Sequence, residues 1–355
     1  MNPQSFSVDN NFNLLRLFAA FLVLYGHGHD LNKAPLDTIL SHGFGVYIFF
    51  AISGYLIASS WSNDANLIRF FWRRSLRIFP GLIVVTLLTV FILGPLLTTE
   101  SMGAYFSHTG TYQYLQNILL HIHFQLPGVF TTNPFAGSVN GSLWTLPIEF
   151  GLYISIAVVG LILSNGRLAS IIVLTGCLIL SFYYDVLLSQ FPAIYGVYLK
   201  QFFVMGCFFW AGAVIFHWQL SKYFNLNTFG VVLILGIFAQ QWPVLAALST
   251  YLAVPFLVLC FGSMPSGKLS FFNRADYSYG LYIYAFPVQQ TLTYLFPQWP
   301  LGLSIGICLA LTLALAALSW HFVEKPMLRF KPTRSKKTLL PITSHSPQTG
   351  SVNSL

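Results

Sequence analysis

Long apolar stretches alternate with short polar ones along this chain, and the apolar stretches are too long for buried strands. A hydrocarbon core of about 30 Å takes roughly 20 helical residues to cross. Stretches of that length fall at 12–31, 44–62, 79–98, 143–164, 168–187, 196–217, 226–242, 244–262, 277–296 and 300–322. The seventh and eighth are divided only by Trp242-Pro243. Polar sequence is confined to 63–78, a long segment 99–142, and the part after 323. The pattern predicts an all-α, polytopic integral membrane protein of about ten transmembrane helices, with no internal repeat. Residues 1–330 read as one transmembrane domain. Residues 331–355, polar and rich in Ser, Thr and Pro, read as a disordered tail.

Composition sharpens this. The 355 residues are 55% hydrophobic and 7% charged, with a mean hydropathy of +0.69. Soluble domains carry about 25% charged residues, so the chain belongs in lipid. No apolar stretch ends in a small-residue cleavage site, so the first helix is expected to insert and stay. Cys177, Cys207, Cys260 and Cys308 lie in apolar runs without paired spacing, which argues for buried small residues and against a disulfide framework or a metal site.

Positive charge is distributed very unevenly. Arg69, Arg73, Arg74, Arg77, Arg167, Lys222, Lys268, Arg274 and the cluster from Lys325 to Lys337 all fall on one side of the predicted spans. The other side receives little beyond Lys33 and Lys200. The positive-inside rule then makes both termini cytoplasmic and puts 99–142 outside. The formal charge of +8 marks membrane orientation and gives no argument for nucleic acid.

Ionisable residues within a membrane are costly, roughly 2.5–3.5 kcal/mol at a helix centre, so each is a functional candidate. Glu149, in "NGSLWTLPIEFGLY", is the only carboxylate well inside a span. His27 lies four residues from the outer end of the first span, about 6 Å deep, and Glu149 six residues below the outer end of the fourth, about 9 Å deep. The two are expected in one layer. A neutral imidazole can take a proton from an alcohol while a carboxylate orients the ring, which suits acyl transfer to a hydroxyl. The same spacing fits a pair that only locks two helices. Arg16 alone reads as a residue that snorkels to the interface.

"RFFWRRSLRIFPG", Arg69 to Gly81, sets four arginines among aromatic residues. Such a cluster grips phosphates bidentately or anchors on anionic lipid heads; taken alone, the anchor is favoured. Neither a P-loop nor a dinucleotide fingerprint is present. In the second span, Ala51, Ser53 and Gly54 allow a close neighbour. A proton-coupled carrier would also use Arg, His and Glu within ten spans, but no paired broken helices support it. A scaffold for envelope assembly is the third alternative.

Several stretches together resemble the acyltransferase family 3, bacterial integral membrane O-acyltransferases. In order they are Arg16 and His27 in "NNFNLLRLFAAFLVLYGHGHD", then "GVYIFFAISGYLI", "FFWRRSLRIFP", "VNGSLWTLPIEFGLY", and "YSYGLYIYAFPVQ" with "SWHFVEKPM". They span residues 10 to 327. The resemblance implies an acyl-CoA donor, usually acetyl-CoA, supplied from the cytoplasm. It implies acceptor hydroxyls on cell-envelope sugars such as lipopolysaccharide O-antigen or exopolysaccharide, and a bacterial inner-membrane location. His27 matches the family histidine and is implied to be catalytic, with Glu149 as its partner. Arg16 matches the family arginine, and Arg73, Arg74 and Arg77 match the arginines tied to donor binding. Many relatives carry an acid where this chain has Tyr47.

Arg16 and His27 stand eleven residues apart, about 16 Å along a helix, a distance a pantetheine arm can bridge. A direct transfer and an acyl-histidine intermediate both remain open. Asn140, Ser142 and Trp144, at the outer mouth, are candidate acceptor contacts. Asn140 and Ser142 would bond a sugar or an oxyanion, or cap the fourth helix. The outer loop, with Tyr105, His108, Tyr112, His121 and His123, is expected to shape acceptor choice.

Overall fold

The structure is a computed structural model that describes residues 10–36 and 42–332; the expected tail beyond 332 lies outside the described residues. Ten long helices make up most of it. They are α1 (Phe12–Leu31), α2 (His42–Asn63), α3 (Leu67–Leu88), α4 (Thr145–Ile162), α5 (Gly166–Leu187), α6 (Leu199–His217), α7 (Leu226–Ala239), α8 (Pro243–Ser263), α9 (Ser278–Leu295) and α10 (Leu301–Ser319).

Local chemistry sets several starts. Asn66 and Asn165 accept the first free backbone N–H groups of α3 and α5, Asn225 forms a capping box on α7, and Pro243 opens α8. Among the described residues, seven helical segments are long and apolar enough to cross a membrane, formed by α2, α3, α4, α5, α6, α8 and α10 with their extensions. The segment α7 is apolar but shorter. The remaining two, α1 and α9, carry more polar side chains, and α9 is the interior helix. Fourteen of the eighteen residues of α9 are buried. A helix surrounded by protein can satisfy polar tips on its neighbours, so it need not be apolar throughout.

The third helix departs from expectation. It was expected at 79–98 after a polar stretch, yet α3 begins at Leu67 and the arginine segment is helical. Arg69, Arg73 and Arg77 recur every fourth residue and so share a face, while the Asn66 side chain accepts from the Arg69 N–H at 2.9 Å. Past Leu88 a widened turn, Thr89–Leu93, carries the helix on to Leu97.

Successive helices alternate in direction, so α1 begins and α10 finishes at the same end, the base. The Asn11 N–H bonds the Gly262 carbonyl at the end of α8 at 2.9 Å, and Asn273 Nδ2 donates to the Asn10 carbonyl. Trp72 near the start of α3 donates to the Phe330 carbonyl beyond α10 at 3.1 Å. At the opposite end the loop 99–142 folds into a cap with its own core of Tyr105, Tyr114, Leu126, Val129, Phe130 and Val139. Asn133 donates to Gln290 of α9, and Gln290 Nε2 donates to the Phe135 and Ser138 carbonyls of the cap.

The tightest helix crossing is α2 against α6. A Cβ on Gly54 would meet the backbone of Phe209, and one on Gly212 the backbone of Ala51, so glycine at both sites sets the approach. Gly54→Ala should therefore cost about 1–3 kcal/mol through overpacking and lower the melting temperature in detergent. Gly176→Ala, where an added Cβ meets nothing within 4 Å, should not lower it and gains up to about 1 kcal/mol of helix propensity. Equal melting of both variants would sink the account of the crossing.

Candidate active site

A cavity of about 400 Å³ lies at the base between α1, α2, α3, α4 and α9. Its wall divides by chemistry. Toward the base it is lined by Arg16, Arg73, Arg74, Arg77, Arg274 and Lys331 around Asp276, while Glu149, the other acid of the lining, lies deeper. Deeper in the bundle it is lined by Val46, Phe49, Phe50 and Leu146.

Asp276, in the turn before α9, organises the cationic side. Its Oδ2 accepts from Arg77 Nη2 at 2.6 Å and lies 3.6 Å from Arg16 Nη1. Its Oδ1 accepts from the hydroxyl of Ser278 at 2.5 Å. Burial by itself would raise this carboxyl, but the Arg77 and Arg16 guanidiniums outweigh it and hold the group at about 2. Asp64, just before α3, accepts from Arg69 at 2.6 Å and from Arg73 at 3.0 Å. Those arginines, Arg69 foremost, keep it below the usual carboxylate range.

Two guanidiniums are incompletely used. Arg73 spends Nη1 on Asp64, and Arg74 spends Nη2 on the Ser60 hydroxyl at 3.1 Å. Arg73 Nε and Nη2 and Arg74 Nε are buried and find no acceptor among the described residues. A buried unpaired donor costs about 1–3 kcal/mol, and planar guanidinium forks match phosphate oxygens. The arrangement therefore suits a polyanionic group entering from the base.

The expected His27–Glu149 pair does not form. Glu149 Oε1 accepts from the hydroxyls of Ser53, at 3.1 Å, and Tyr153, and Glu149 lines the basal cavity. His27 is buried edge-on to Phe286 of α9 at 5.1 Å, with Nδ1 3.8 Å from Asp30, and is not among the residues lining the cavity. Phe286 also covers Gly141, so His27 lies at the level of Gly141. Glu149 is eight residues further along, at least about 12 Å toward the base. The equal depths failed because the turn Gly141–Trp144 ahead of α4 is not flush with the outer surface. The cap buries it, and its tighter 3₁₀ geometry advances about 2 Å per residue.

The remaining candidates separate clearly. Asn140 uses both ends of its amide on backbone, donating to the Ile283 carbonyl at 2.9 Å and accepting from the Ser142 N–H at 3.2 Å, so Asn140 is the cap. Ser142 Oγ is fully buried and finds no hydrogen-bond partner among the described residues. Trp144 packs half-buried against the main core. Tyr47, in place of the acid of many relatives, stacks on Phe208 at 4.1 Å and serves helix packing. Tyr105 is fully buried in the core of the cap and donates to the Val90 carbonyl, so it supports the loop from within. Exposed in the same loop are His108, Tyr112 and His121, while His123 is half-buried beside Gln116. All four cysteines are buried.

Sequence reasoning missed Asp276, Ser53 as a partner of Glu149, Tyr153 and Lys331. For Asp276 a signal existed, since it is the single acid between Lys268 and the start of α9.

The described residues thus form an apolar helical bundle with polar side chains buried inside it and a cationic cavity at one end. The chain belongs to the acyltransferase family 3: residues 9–320 match the family described as "Acyltransferase domain". It is 33% identical over 341 residues to the "O-acetyl transferase" of Shigella phage Sf6, an alignment covering 93% of this chain and 98% of the relative. It is 29% identical over 372 residues to "Nodulation protein 10" of Rhizobium leguminosarum bv. viciae, covering 93% and 96%. No solved structure matches. The chain is thus an acyltransferase enzyme with several membrane-crossing helices.

A carboxyl held at about 2 adds stability that is complete above its unfolded value near 3.9 and is lost as pH falls through 2. Asp276→Asn should therefore lower thermal stability by about 2–4 kcal/mol at pH 7, since it leaves buried guanidiniums unpaired. The gap between variant and wild type should hold from pH 8 to 5 and close below about pH 4 in detergent melts. A gap equally large at pH 2 and pH 7 would refute the ion-pair account.

Proposed function

We propose that this acyltransferase moves an acetyl group from cytoplasmic acetyl-CoA to a hydroxyl of an envelope or exported saccharide, such as O-antigen or exopolysaccharide, at a bacterial inner membrane. The observation that carries this reading is the basal cavity, where buried Arg73 and Arg74 donors find no acceptor among the described residues. The name of the phage relative supports an acetyl group and an oxygen acceptor. The base is the cytoplasmic side, because the arginines of α3, together with Arg167, Lys222, Lys268 and Arg274, gather at that end. Both termini are then cytoplasmic, with the cap outside.

In this reading Arg73 and Arg74 hold the donor's phosphates, with Arg16 and Arg77 kept in place by Asp276. The donor supplies an activated thioester. The apolar wall at Val46, Phe49 and Phe50 favours its uncharged arm, and His27 stands about 16 Å from Arg16 along α1. His27 takes the proton of the acceptor hydroxyl as general base, or carries the acyl group itself. Asp30, 3.8 Å from Nδ1, favours the imidazolium, the role expected of Glu149. Glu149, with Ser53 and Tyr153, instead shapes the deep end of the donor cavity. Ser142 Oγ is the best-suited candidate for an acceptor or oxyanion contact near Gly141, with Trp144 beside it, while Asn140 shapes the turn. The exposed cap residues His108, Tyr112 and His121, with half-buried His123 beside them, meet the saccharide.

His27→Ala and His27→Asn test the reading in host cells at matched, membrane-inserted protein levels. The O-acetyl content of surface glycans should fall, and with purified enzyme acceptor-dependent release of free CoA should drop by about 100-fold or more. Acetylation that survives both substitutions, in a host where deleting the protein abolishes it, would return His27 to a packing role. Saccharide flux without CoA dependence would favour a carrier.

A further inference from the structure

We propose that Lys331 is a phosphate-binding residue of the donor cavity, delivered by the segment that follows α10 and fastened to α3 by Trp72. The inference rests on the reading that this cavity holds acyl-CoA. In the sequence, Lys331 belongs to a basic cluster that needed no function beyond membrane orientation.

Three observations point to a ligand. The chain after α10 does not simply leave the bundle: a widened turn at Trp320–Glu324 leads to Lys325–Leu328, and two more turns bring Leu328 and Lys331 into the cavity wall. The Trp72 indole N–H bonds the Phe330 carbonyl at 3.1 Å, so the residue next to Lys331 is tied to the helix that carries Arg73, Arg74 and Arg77. The side chain of Lys331 is open to solvent at the cavity mouth.

Charge makes this position costly without an anion. Six cations line the cavity against two acids, and Asp276 is already shared between Arg77 and Arg16. Partial burial, with Arg77, Arg74, Arg73 and Arg16 nearby, pushes the Lys331 ammonium below the usual lysine range. Like charges at such range repel, and a bound polyanion reverses the sign of that interaction. A second signal is independent of charge. Trp320, on the same strap, lines the cavity with its indole N–H buried and without an acceptor among the described residues, as do Arg73 and Arg74 with their spare donors.

The division of labour follows from side-chain chemistry. Fixed arginine forks on α3 suit the paired oxygens of one phosphate group. A lysine on a flexible stem at the mouth is a compact charge that can follow another. Coenzyme A offers both, a pyrophosphate and a separate phosphomonoester.

Purified full-length wild type, Lys331→Met, Lys331→Arg and Trp72→Phe should be titrated in detergent with CoA, with dephospho-CoA, which lacks the monoester, and with pantetheine, which lacks all phosphate. Lys331→Met should weaken CoA binding by about tenfold or more, as for loss of a charge-assisted hydrogen bond, and make it less sensitive to salt. Lys331→Arg should restore most of the affinity, and Trp72→Phe should weaken binding a few-fold in the same direction. A loss confined to CoA assigns Lys331 to the monoester, whereas an equal loss for dephospho-CoA assigns it to the pyrophosphate. Both support the inference. Wild-type affinity for CoA in Lys331→Met overturns it alone, as does an equal loss for CoA and pantetheine, which would mark a structural role. Failure of the wild type to bind CoA would overturn the donor reading and this inference together.

Discussion

The shared ion pair of Asp276 with Arg77 and Arg16 is the interaction on which the basal cavity depends. Arg16 lies on α1, Arg77 on α3, and Asp276 in the turn that starts α9, so one carboxylate joins three elements distant in sequence. Two guanidiniums this close to a common point repel in a medium of low dielectric constant, by about 4 kcal/mol at 4 Å for an effective value of 20. A single carboxylate between them turns that repulsion into a net attraction. It also fixes their forks, so that Arg73 and Arg74, one turn nearer the base on α3, face a wall that is already rigid.

Helix α9 extends the same principle to neutral groups. Its polar tips each reach a backbone oxygen on a different neighbour. Tyr279 donates to Ile78 on α3, Tyr282 to Ser142 in the turn before α4, Gln289 to Leu24 on α1, and Gln290 to the cap. In a membrane there is no water to satisfy these groups, so every such bond replaces a costly desolvated dipole. The helix is therefore a bracket that sets the spacing of the basal cavity, the His27 turn and the cap together. Gln289 holds α1 three residues before His27, while Phe286 lies against the imidazole itself.

Much of this was legible in the sequence, and the failures are instructive. Apolar runs located the ten helices to within a few residues, except where arginines concealed the start of α3. Hydropathy penalises arginine wherever it occurs, whereas a cap at Asn66 and a four-residue arginine repeat mark a helix regardless of polarity. The two ends of Arg16-x10-His27 were legible because one helix fixes their separation. The His27–Glu149 layer was not, because depth on different helices depends on where each one starts, and the cap buries the start of α4 beneath it. Asp276 escaped notice for a related reason. It lies in a loop by sequence, but α3 extends far enough toward the base to enclose it.

The distance between the cationic cavity and His27 has a physical rationale. Moving a phosphate into the bundle would cost several kcal/mol per charge even with partners, so a polyanion is best met at the base, beside solvent. An uncharged arm incurs no such cost along a wall of Val46, Phe49 and Phe50. On the proposed function, a cavity that is polar toward the base and apolar within would sort a CoA thioester by charge, retaining the nucleotide and admitting the acyl end. Glu149 fits this sorting better at the deep end of the cavity than beside His27. There its carboxylate is satisfied by Ser53 and Tyr153 and faces arginines. Beside Phe286 it would be a second buried charge in an apolar setting that Asp30, more exposed at the end of α1, avoids.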